Sequence, residues 1–173
     1  MSVADRLGLA LDHLDRVQSF HGRIDARVAV LFALDVGMAA ITVTNLPKSV
    51  LQTCLAIPAI WALACITASL VCLIMTSYSH LTTKNEPSLL YFGDIARLSS
   101  TDYVKSAAEA TEAHLLDDAL CQIWRNSEIV QAKFMRTQRA FFLTSAAAVI
   151  WLTSLLALTV QNGALPALSG GAG

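Results

Sequence analysis

Charged side chains are scarce in this sequence, and neither sign of charge predominates. Of 173 residues only 14% are Asp, Glu, Lys or Arg, the formal net charge at pH 7 is -1, and 55% of the residues are hydrophobic. The mean hydropathy of +0.55 is too high for an ordinary soluble domain. The near-neutral charge excludes a bulk electrostatic attraction to nucleic acid, and the apolar excess predicts burial in lipid.

Motifs of known catalytic or metal-binding chemistry are also missing. The four histidines follow no metal-ligand spacing and the four cysteines form no CxxC pair. Nucleophile-elbow, P-loop and GxGxxG patterns are absent. Gly93 is the only glycine between residues 79 and 139, which argues against a phosphate-cradling loop there. The sequence therefore predicts neither an enzyme nor a metal or cofactor site.

Three long apolar runs are present, at residues 28–46, 50–78 and 140–160. Each has the ~20 residues that are needed to cross ~30 Å of hydrocarbon. Basic residues lie before the first run and between the second and third, whereas Lys48 alone lies in the link between the first two and none follows the third. The positive-inside rule places the N-terminus and residues 79–139 in the cytoplasm, and the C-terminus on the opposite side.

Outside these runs, apolar residues recur at alternating steps of three and four, which predicts helices with a packing seam. Before the first run the seam consists of Val3, Leu7, Ala10, Leu14, Val17, His21 and Ile24. Before the third run it consists of Leu116, Leu120, Ile123, Ser127, Val130, Phe134 and Thr137. Each helix is expected to continue into the adjoining span, and the two to pack against each other or against other subunits as a stalk.

The predicted fold is an all-α membrane protein, with three transmembrane helices and cytoplasmic helical extensions that form a stalk. Its segments are an amphipathic N-terminal helix (1–27), a transmembrane hairpin (28–78), a cytoplasmic helical segment (79–139), a third transmembrane helix (140–160) and a flexible extracytoplasmic tail (161–173). Pro47 is expected to close the hairpin. The second span is longer than needed and holds Pro58, which predicts a kink, a tilt or an extension beyond the bilayer. One of residues 99–102 should be the N-cap of a helix.

Asp35 is the one ionisable residue within the first run. An ionised carboxylate there costs about 2.5 to 3.5 kcal/mol on insertion, so its side chain should face protein or water. Thr67, Ser69, Thr144 and Ser145 lie at a similar depth. One interpretation is a protonated Asp35 that donates to one of these hydroxyls, and the other is a carboxylate that lines a membrane path in an assembled oligomer.

The cytoplasmic segment holds the remaining candidates. Basic side chains there could hold a phosphate and aromatic ones could stack on a base, the candidates being Arg97, Arg125, Lys133, Arg136, Tyr91, Phe92, Tyr103 and Trp124. The alternative is that the aromatic residues belong to the interfacial belt and the basic ones anchor the third helix at the headgroups.

Several stretches taken together resemble the transmembrane effector family of the Pycsar anti-phage systems. They are Arg23 to Arg27 (RIDAR), Tyr91 to Leu98 (YFGDIARL), Asp117-Asp118 with Gln122-Ile123, and Asn126 to Val130 (NSEIV) with Lys133-Phe134. The resemblance extends over about residues 20–160. It implies an effector that is silent until a partner pyrimidine nucleotide cyclase makes cyclic UMP or cyclic CMP during infection, after which the integrity of the bacterial inner membrane fails.

A ligand site in this chain would use Arg97 and Arg125 as phosphate donors, Asn126 as a base-edge or ribose contact and Tyr91 as a stacking surface. Cyclic mononucleotides commonly bind in a β-roll, whereas this segment is predicted to be helical. The site would therefore lie between helices of different subunits, or a separate protein would sense the nucleotide. Small residues in the third run are compatible with a homo-oligomer.

Two other functions remain open. A membrane scaffold would recruit a cytoplasmic partner through its stalk without changing permeability. A small constitutive channel or transporter subunit would conduct without nucleotide, and would be expected to carry more than one polar residue deep in the membrane.

Overall fold

The computed structural model describes residues 1–45, 56–78 and 88–162. These residues form five helices and no strand, in the order α1 (Val3–Thr44), α2 (Ala56–Ser77), α3 (Phe92–Ile95), α4 (Ser100–Glu109) and α5 (Glu112–Asn162). α1, α2 and α5 each contain a stretch that is long and apolar enough to cross a membrane. The predicted all-α fold with three potential transmembrane helices is confirmed.

The chain divides into two compact units. Unit 1 comprises Met1–Arg23 and Ser79–Ala132, and unit 2 comprises Ile24–Tyr78 and Lys133–Gly173. Unit 2 holds the described parts of the three apolar runs, and unit 1 holds most of the residues that the sequence predicts to be cytoplasmic. α1 and α5 each contribute residues to both units, so both extensions continue without a break into the apolar helices, as predicted.

Side-chain caps define where the helices of unit 1 begin. At the start of α1, the Ser2 amide donates to Asp5 Oδ2 at 2.8 Å and the Asp5 amide donates to Ser2 Oγ at 3.1 Å, forming a reciprocal cap. The bond from the Ser2 amide to the carboxylate, together with one from the Ser2 side chain, holds the pKa of the Asp5 carboxyl below its ordinary value. Because that pKa is lowered on folding, the cap contributes fully above the ordinary Asp pKa and is lost as the pH falls through the lowered value.

Capping also explains a break that the sequence analysis did not anticipate. Ser99 is the N-cap of α4 and accepts a hydrogen bond from the Asp102 amide at 3.1 Å, which confirms the predicted cap. α4 ends at Glu109, followed by the C-cap Ala110, whose ψ of 131° is extended, and the Thr111 hydroxyl accepts from the His114 amide at 3.3 Å as α5 begins. A threonine that caps the next helix thus separates α4 from α5 without any glycine or proline.

Pro58 lies close to the start of the described part of the second span. That part begins at Ala56, so Pro58 lies in the first turn of α2 as described. The first four amides of a helix have no intrahelical partner, so a proline without an N–H is tolerated in a first turn. The kink, tilt or extension expected from Pro58 stays a prediction. Pro47, the predicted hairpin turn, and residues 50–55 of the predicted span lie outside the described residues.

The three long helices of unit 2 pack with buried residues at steps of three, four or seven. The buried positions are Ile24, Leu31, Asp35, Met38 and Thr42 in α1, Ala59, Ala62, Ile66, Ser69, Leu73 and Thr76 in α2, and Thr137, Ala140, Thr144, Ala147 and Ser154 in α5. This is the spacing of a coiled-coil seam.

The packing of unit 2 also gives the direction of its helices. One apolar layer joins Leu31, Leu73 and Ala140. A second joins Met38, Ile66 and Ala147. Residue numbers rise from the first layer to the second in α1 and α5 and fall in α2, so α2 is antiparallel to both. The predicted antiparallel arrangement of the first two spans is confirmed.

In unit 1 the predicted seam is partly correct for both α1 and α5. Ala10, Leu14 and Val17 are buried as expected, whereas Val3 is 44% exposed. On α5 the buried residues are Ala119 and Gln122, whereas Leu120, Ser127 and Phe134, the last already in unit 2, are exposed. The seam predicted from the large apolar residues lies on a neighbouring face of α5. The small side chain of Ala119, fully buried, marks the face that actually packs.

A basic side chain of α5 caps the C-terminus of α2. Arg136 Nη1 donates to the Met75 carbonyl oxygen at 2.8 Å, in the last turn of α2 where carbonyls lack intrahelical partners. Arg136→Met should lower the free energy of unfolding by about 1 kcal/mol, through loss of this bond and of the favourable charge at the helix end. Thermal unfolding in detergent measures the effect. Arg139→Met, at an exposed arginine without a partner among the described residues, should change it far less.

Candidate functional site

A polar layer lies inside unit 2, between the two apolar layers. It consists of Asp35, Ser69 and Thr144, of which Asp35 and Ser69 are 0% exposed and Thr144 is 6% exposed. The Thr144 hydroxyl donates to Asp35 Oδ1 at 2.9 Å. The Ser69 hydroxyl lies 2.9 Å from Thr144 Oγ1 and 3.2 Å from the Ala140 carbonyl oxygen. One residue from each helix thus joins a hydrogen-bonded chain across the core.

The second carboxyl oxygen of Asp35 has no partner in this chain of contacts. Oδ2 is buried and makes no hydrogen bond with any described residue. A buried acceptor left without a partner costs about 1–3 kcal/mol. Closed packing therefore leaves one oxygen of the polar layer unsatisfied, and hydration of the layer would remove that cost.

Four hydroxyl residues were predicted to lie at the depth of Asp35, and two of them face the core of unit 2. Ser69 and Thr144 contribute to the polar layer. Thr67 and Ser145 are exposed, and each hydroxyl donates to a carbonyl of its own helix, Leu63 at 2.8 Å and Phe141 at 2.7 Å. Asp35 faces the two neighbouring helices of its own chain, and its role in a membrane path stays a prediction.

The second candidate site is a turn in unit 1 that leads into α3, comprising Ser88 to Tyr91. Asp118 of α5 holds this turn, because its Oδ2 accepts from Ser88 Oγ at 3.0 Å, from the Leu89 amide at 2.9 Å and from the Leu90 amide at 3.3 Å. The Ser88 amide donates to Asp94 Oδ2 at 3.1 Å, and Asp94 is 5% exposed. Two carboxylates therefore fix the backbone of the turn through amide and hydroxyl donors.

This turn positions Tyr91. The Tyr91 amide donates to Ser88 Oγ at 2.9 Å. The Arg125 guanidinium carbon lies 5.9 Å from the centroid of the Tyr91 ring, within the range of a cation–π contact. The ring also covers Gly93, where an added Cβ would lie 2.6 Å from a carbon of the tyrosine ring. The glycine of the YFGD stretch thus leaves room for the Tyr91 ring.

Of the four predicted ligand-site residues, the structure brings Tyr91 and Arg125 together. Arg97 is 69% exposed and lies 3.7 Å from Oδ1 of the buried Asp94, a long ion pair whose energetic value is small because the guanidinium is solvated. Asn126 is half-buried and makes no hydrogen bond with a described residue. Arg125 lies over one face of the Tyr91 ring, so a base that stacked on that face would have to share or displace the contact.

Sequence reasoning assigned no role to Ser88, Asp94 or Asp118. Asp94 and Asp118 entered the analysis only as part of a resemblance. The contact between Ser88 and Asp118 joins residues 30 positions apart, so no local spacing signals it. The position of Ser88 before an apolar pair, Leu89-Leu90, was equally uninformative.

Gly93→Ala should separate Tyr91 from Arg125 with little loss of stability. The added methyl group collides with the far end of the Tyr91 side chain, which can rotate away without moving the backbone. We expect Tyr91 fluorescence or NMR shifts to change while helix content and the unfolding temperature stay near those of the wild type.

Gly22→Ala is the matched control, since its Cβ would meet nothing within 4 Å. That change should stabilise α1 by roughly 0.5–1 kcal/mol. Unchanged signals in Gly93→Ala would contradict the packing of the ring on Gly93.

Comparison with known proteins gives one match. The family model PycTM, described as the Pycsar effector protein domain, matches residues 9–160. No curated protein and no solved structure matches the chain. The matched range includes the polar layer in unit 2 and the turn in unit 1, together with the three apolar helices. The chain therefore belongs to the family of Pycsar effector proteins.

Proposed function

We propose that this protein impairs the bacterial inner membrane when cyclic UMP or cyclic CMP, made by a partner pyrimidine nucleotide cyclase, is present. Membership of the Pycsar effector family supports a role as an effector of anti-phage defence. In this proposal the three apolar helices cross the inner membrane as part of a homo-oligomer. The N-terminus and residues 79–139 lie in the cytoplasm, and the C-terminus lies outside.

The polar layer of unit 2 is the observation that supports a membrane-damaging activity. A bundle that served only as an anchor could fill its core with apolar side chains, and polar groups within spans are costly. Here a carboxyl group and two hydroxyls lie fully or nearly buried between apolar layers. When the helices separate, these groups can bind water at the depth where the bilayer otherwise excludes it, which favours a permeable state.

Control by a ligand requires that the ligand bind one arrangement of the helices more tightly than the other. Tyr91, Arg97, Arg125 and Asn126 of unit 1 are the proposed contacts, with the guanidinium groups paired to the cyclic phosphate. α1 and α5 contribute to both units. A nucleotide that shifted either helix in unit 1 would therefore act on a helix that carries part of the polar layer.

Dye release from liposomes that contain the purified protein tests this function. Cyclic UMP, cyclic CMP, cyclic AMP or buffer is added, and release is expected with a pyrimidine cyclic nucleotide alone. Release without nucleotide would favour a constitutive channel. No release under any condition would contradict the proposal and favour a scaffold that recruits a cytoplasmic partner.

Calorimetry separates a ligand site in this chain from sensing by another protein. The wild type should bind one of the two pyrimidine nucleotides, and Arg125→Gln should weaken binding by about tenfold or more through loss of a charge-assisted contact. Arg139→Gln, which changes an exposed arginine of unit 2, should bind as the wild type does. No heat of binding in the wild type would show that this chain is not the sensor.

A further inference from the structure

An apolar groove lies between α1 and α5 within unit 2, on the outer surface of the bundle. It has a volume of about 600 Å³, in the range of small-molecule sites. Its walls are mainly aliphatic and aromatic, formed by Ile24, Val30 and Leu31 of α1 and by Phe134 and Phe141 of α5. Arg27 and Gln138 also line it. The groove therefore combines an apolar surface with a cation and an amide.

The charge of Arg27 is not balanced by any residue that the structure describes. Arg27 makes no ion pair or hydrogen bond with any described residue. Asp25 is the one acidic residue in the ranges 24–31 and 133–141, and its Oδ1 is 3.0 Å from Lys133 Nζ. Arg136 is directed to the Met75 carbonyl. The guanidinium that lines the apolar groove is thus open to an external anion.

The groove lies at the boundary of the apolar runs. Arg27 immediately precedes the run at 28–46, and Gln138 lies two residues before the run at 140–160. In a membrane this is the level of the phosphate headgroups, with Val30, Leu31 and Phe141 on the hydrocarbon side. The anions at this level of the membrane are lipid phosphates, which are attached to acyl chains.

We propose that this groove binds one anionic phospholipid, with its phosphate on Arg27 and Gln138 and an acyl chain along Val30, Leu31 and Phe141. The guanidinium and amide donate to phosphate oxygens, and the chain covers apolar surface that the protein leaves exposed. A helix from a second copy would bury Arg27 without an opposite charge unless it brought an acid to that point. The proposal requires that unit 2 cross a bilayer, and it does not depend on the nucleotide trigger.

Native mass spectrometry of the full chain in a neutral detergent tests the site. Phosphatidylglycerol and phosphatidylcholine with identical acyl chains are added in equal amounts, and the ratio of the two in the first lipid adduct is measured. We expect about a fivefold preference for phosphatidylglycerol, the magnitude expected for one basic side chain at an anionic surface. Arg27→Gln should bring the ratio close to one.

Two further variants identify where the lipid binds. Arg139→Gln removes a basic residue near the same boundary that does not line the groove, and should keep the preference. Val30→Trp, at a residue 61% exposed, fills the groove and should reduce the first adduct of both lipids. Inorganic phosphate at the same concentration should not displace the lipid.

The site would be disproved by a preference that survives Arg27→Gln, by equal loss in Arg139→Gln, or by adducts that Val30→Trp leaves unchanged. A preference that survives Arg27→Gln, or that is lost equally in Arg139→Gln, would indicate that general surface charge attracts the lipid. Adducts that Val30→Trp leaves unchanged would indicate a headgroup bound outside the groove. Displacement by phosphate alone would indicate a simple anion site. Because Arg27 and Val30 are exposed, both variants are expected to fold, which helical circular dichroism verifies.

Discussion

Asp118→Ala is expected to release the turn from Ser88 to Tyr91 and to expose its amides to solvent exchange. Asp118 Oδ2 accepts hydrogen bonds from the Ser88 hydroxyl and from the amides of Leu89 and Leu90. Bonds to a charged acceptor contribute about 1.5–3 kcal/mol, so exchange protection of these two amides should fall by roughly 10- to 100-fold. Hydrogen exchange measured by NMR resolves the change at each amide.

The neighbouring carboxylate provides the control for this change. Asp117 is exposed and has no partner among the described residues, so Asp117→Ala should leave the exchange of Leu89 and Leu90 unchanged. Since the turn also positions Tyr91 through Ser88, Asp118→Ala should weaken nucleotide binding where Asp117→Ala does not. Equal protection in the two variants would show that Asp118 does not hold the turn.

The helices could be predicted because their signals are local. Hydropathy over about twenty residues identifies the apolar spans, and the spacing of Ala10, Leu14 and Val17 identifies the inward face of α1. The cap at Ser99 also depends on neighbours in the sequence. Each of these features is determined within one helix or at one helix end, so periodicity and capping preference are sufficient.

The α5 seam was harder to predict because small side chains, rather than large ones, mark it. Leu120 and Phe134 are exposed, while Ala119 is fully buried. Close approach of two helices favours a small residue at the contact, and hydrophobicity alone cannot distinguish that face from an exposed apolar one.

The candidate sites depend on contacts between residues far apart in the chain. The depth of Asp35 predicted that a hydroxyl would be near, but four hydroxyls share that depth. Helix rotation decides that Ser69 and Thr144 face inward while Thr67 and Ser145 face outward. Asp118 joins a turn about thirty residues earlier, and no sequence pattern predicts that pairing. Arg125 could be predicted as a candidate by residue type, whereas its contact with Tyr91 depends on the turn that Asp118 holds.

Asp35→Leu is expected to suppress nucleotide-triggered dye release by about tenfold or more without destabilising unit 2. Leucine has the same branched skeleton, with two methyl groups in place of the carboxyl oxygens, and would continue the apolar layers on either side while removing the unsatisfied Oδ2. The Thr144 hydroxyl can then donate to the carbonyl four residues earlier, so no donor is left without a partner. Because the remaining partner keeps a hydrogen bond, the penalty for an unsatisfied buried donor does not arise.

Dye release and the stability of the Asp35→Leu variant, measured together, determine whether the polar layer is part of the permeable path. If water must reach the layer in the active state, loss of the carboxyl raises the cost of opening, and each 1.4 kcal/mol corresponds to a tenfold change. Asp35→Asn keeps a polar group and should retain more dye release than Asp35→Leu. Thr67→Val, which removes an exposed hydroxyl of α2, should behave as the wild type. Full dye release from Asp35→Leu liposomes would mean that ions and dye cross outside the core of the bundle, at the lipid-facing surface or between subunits.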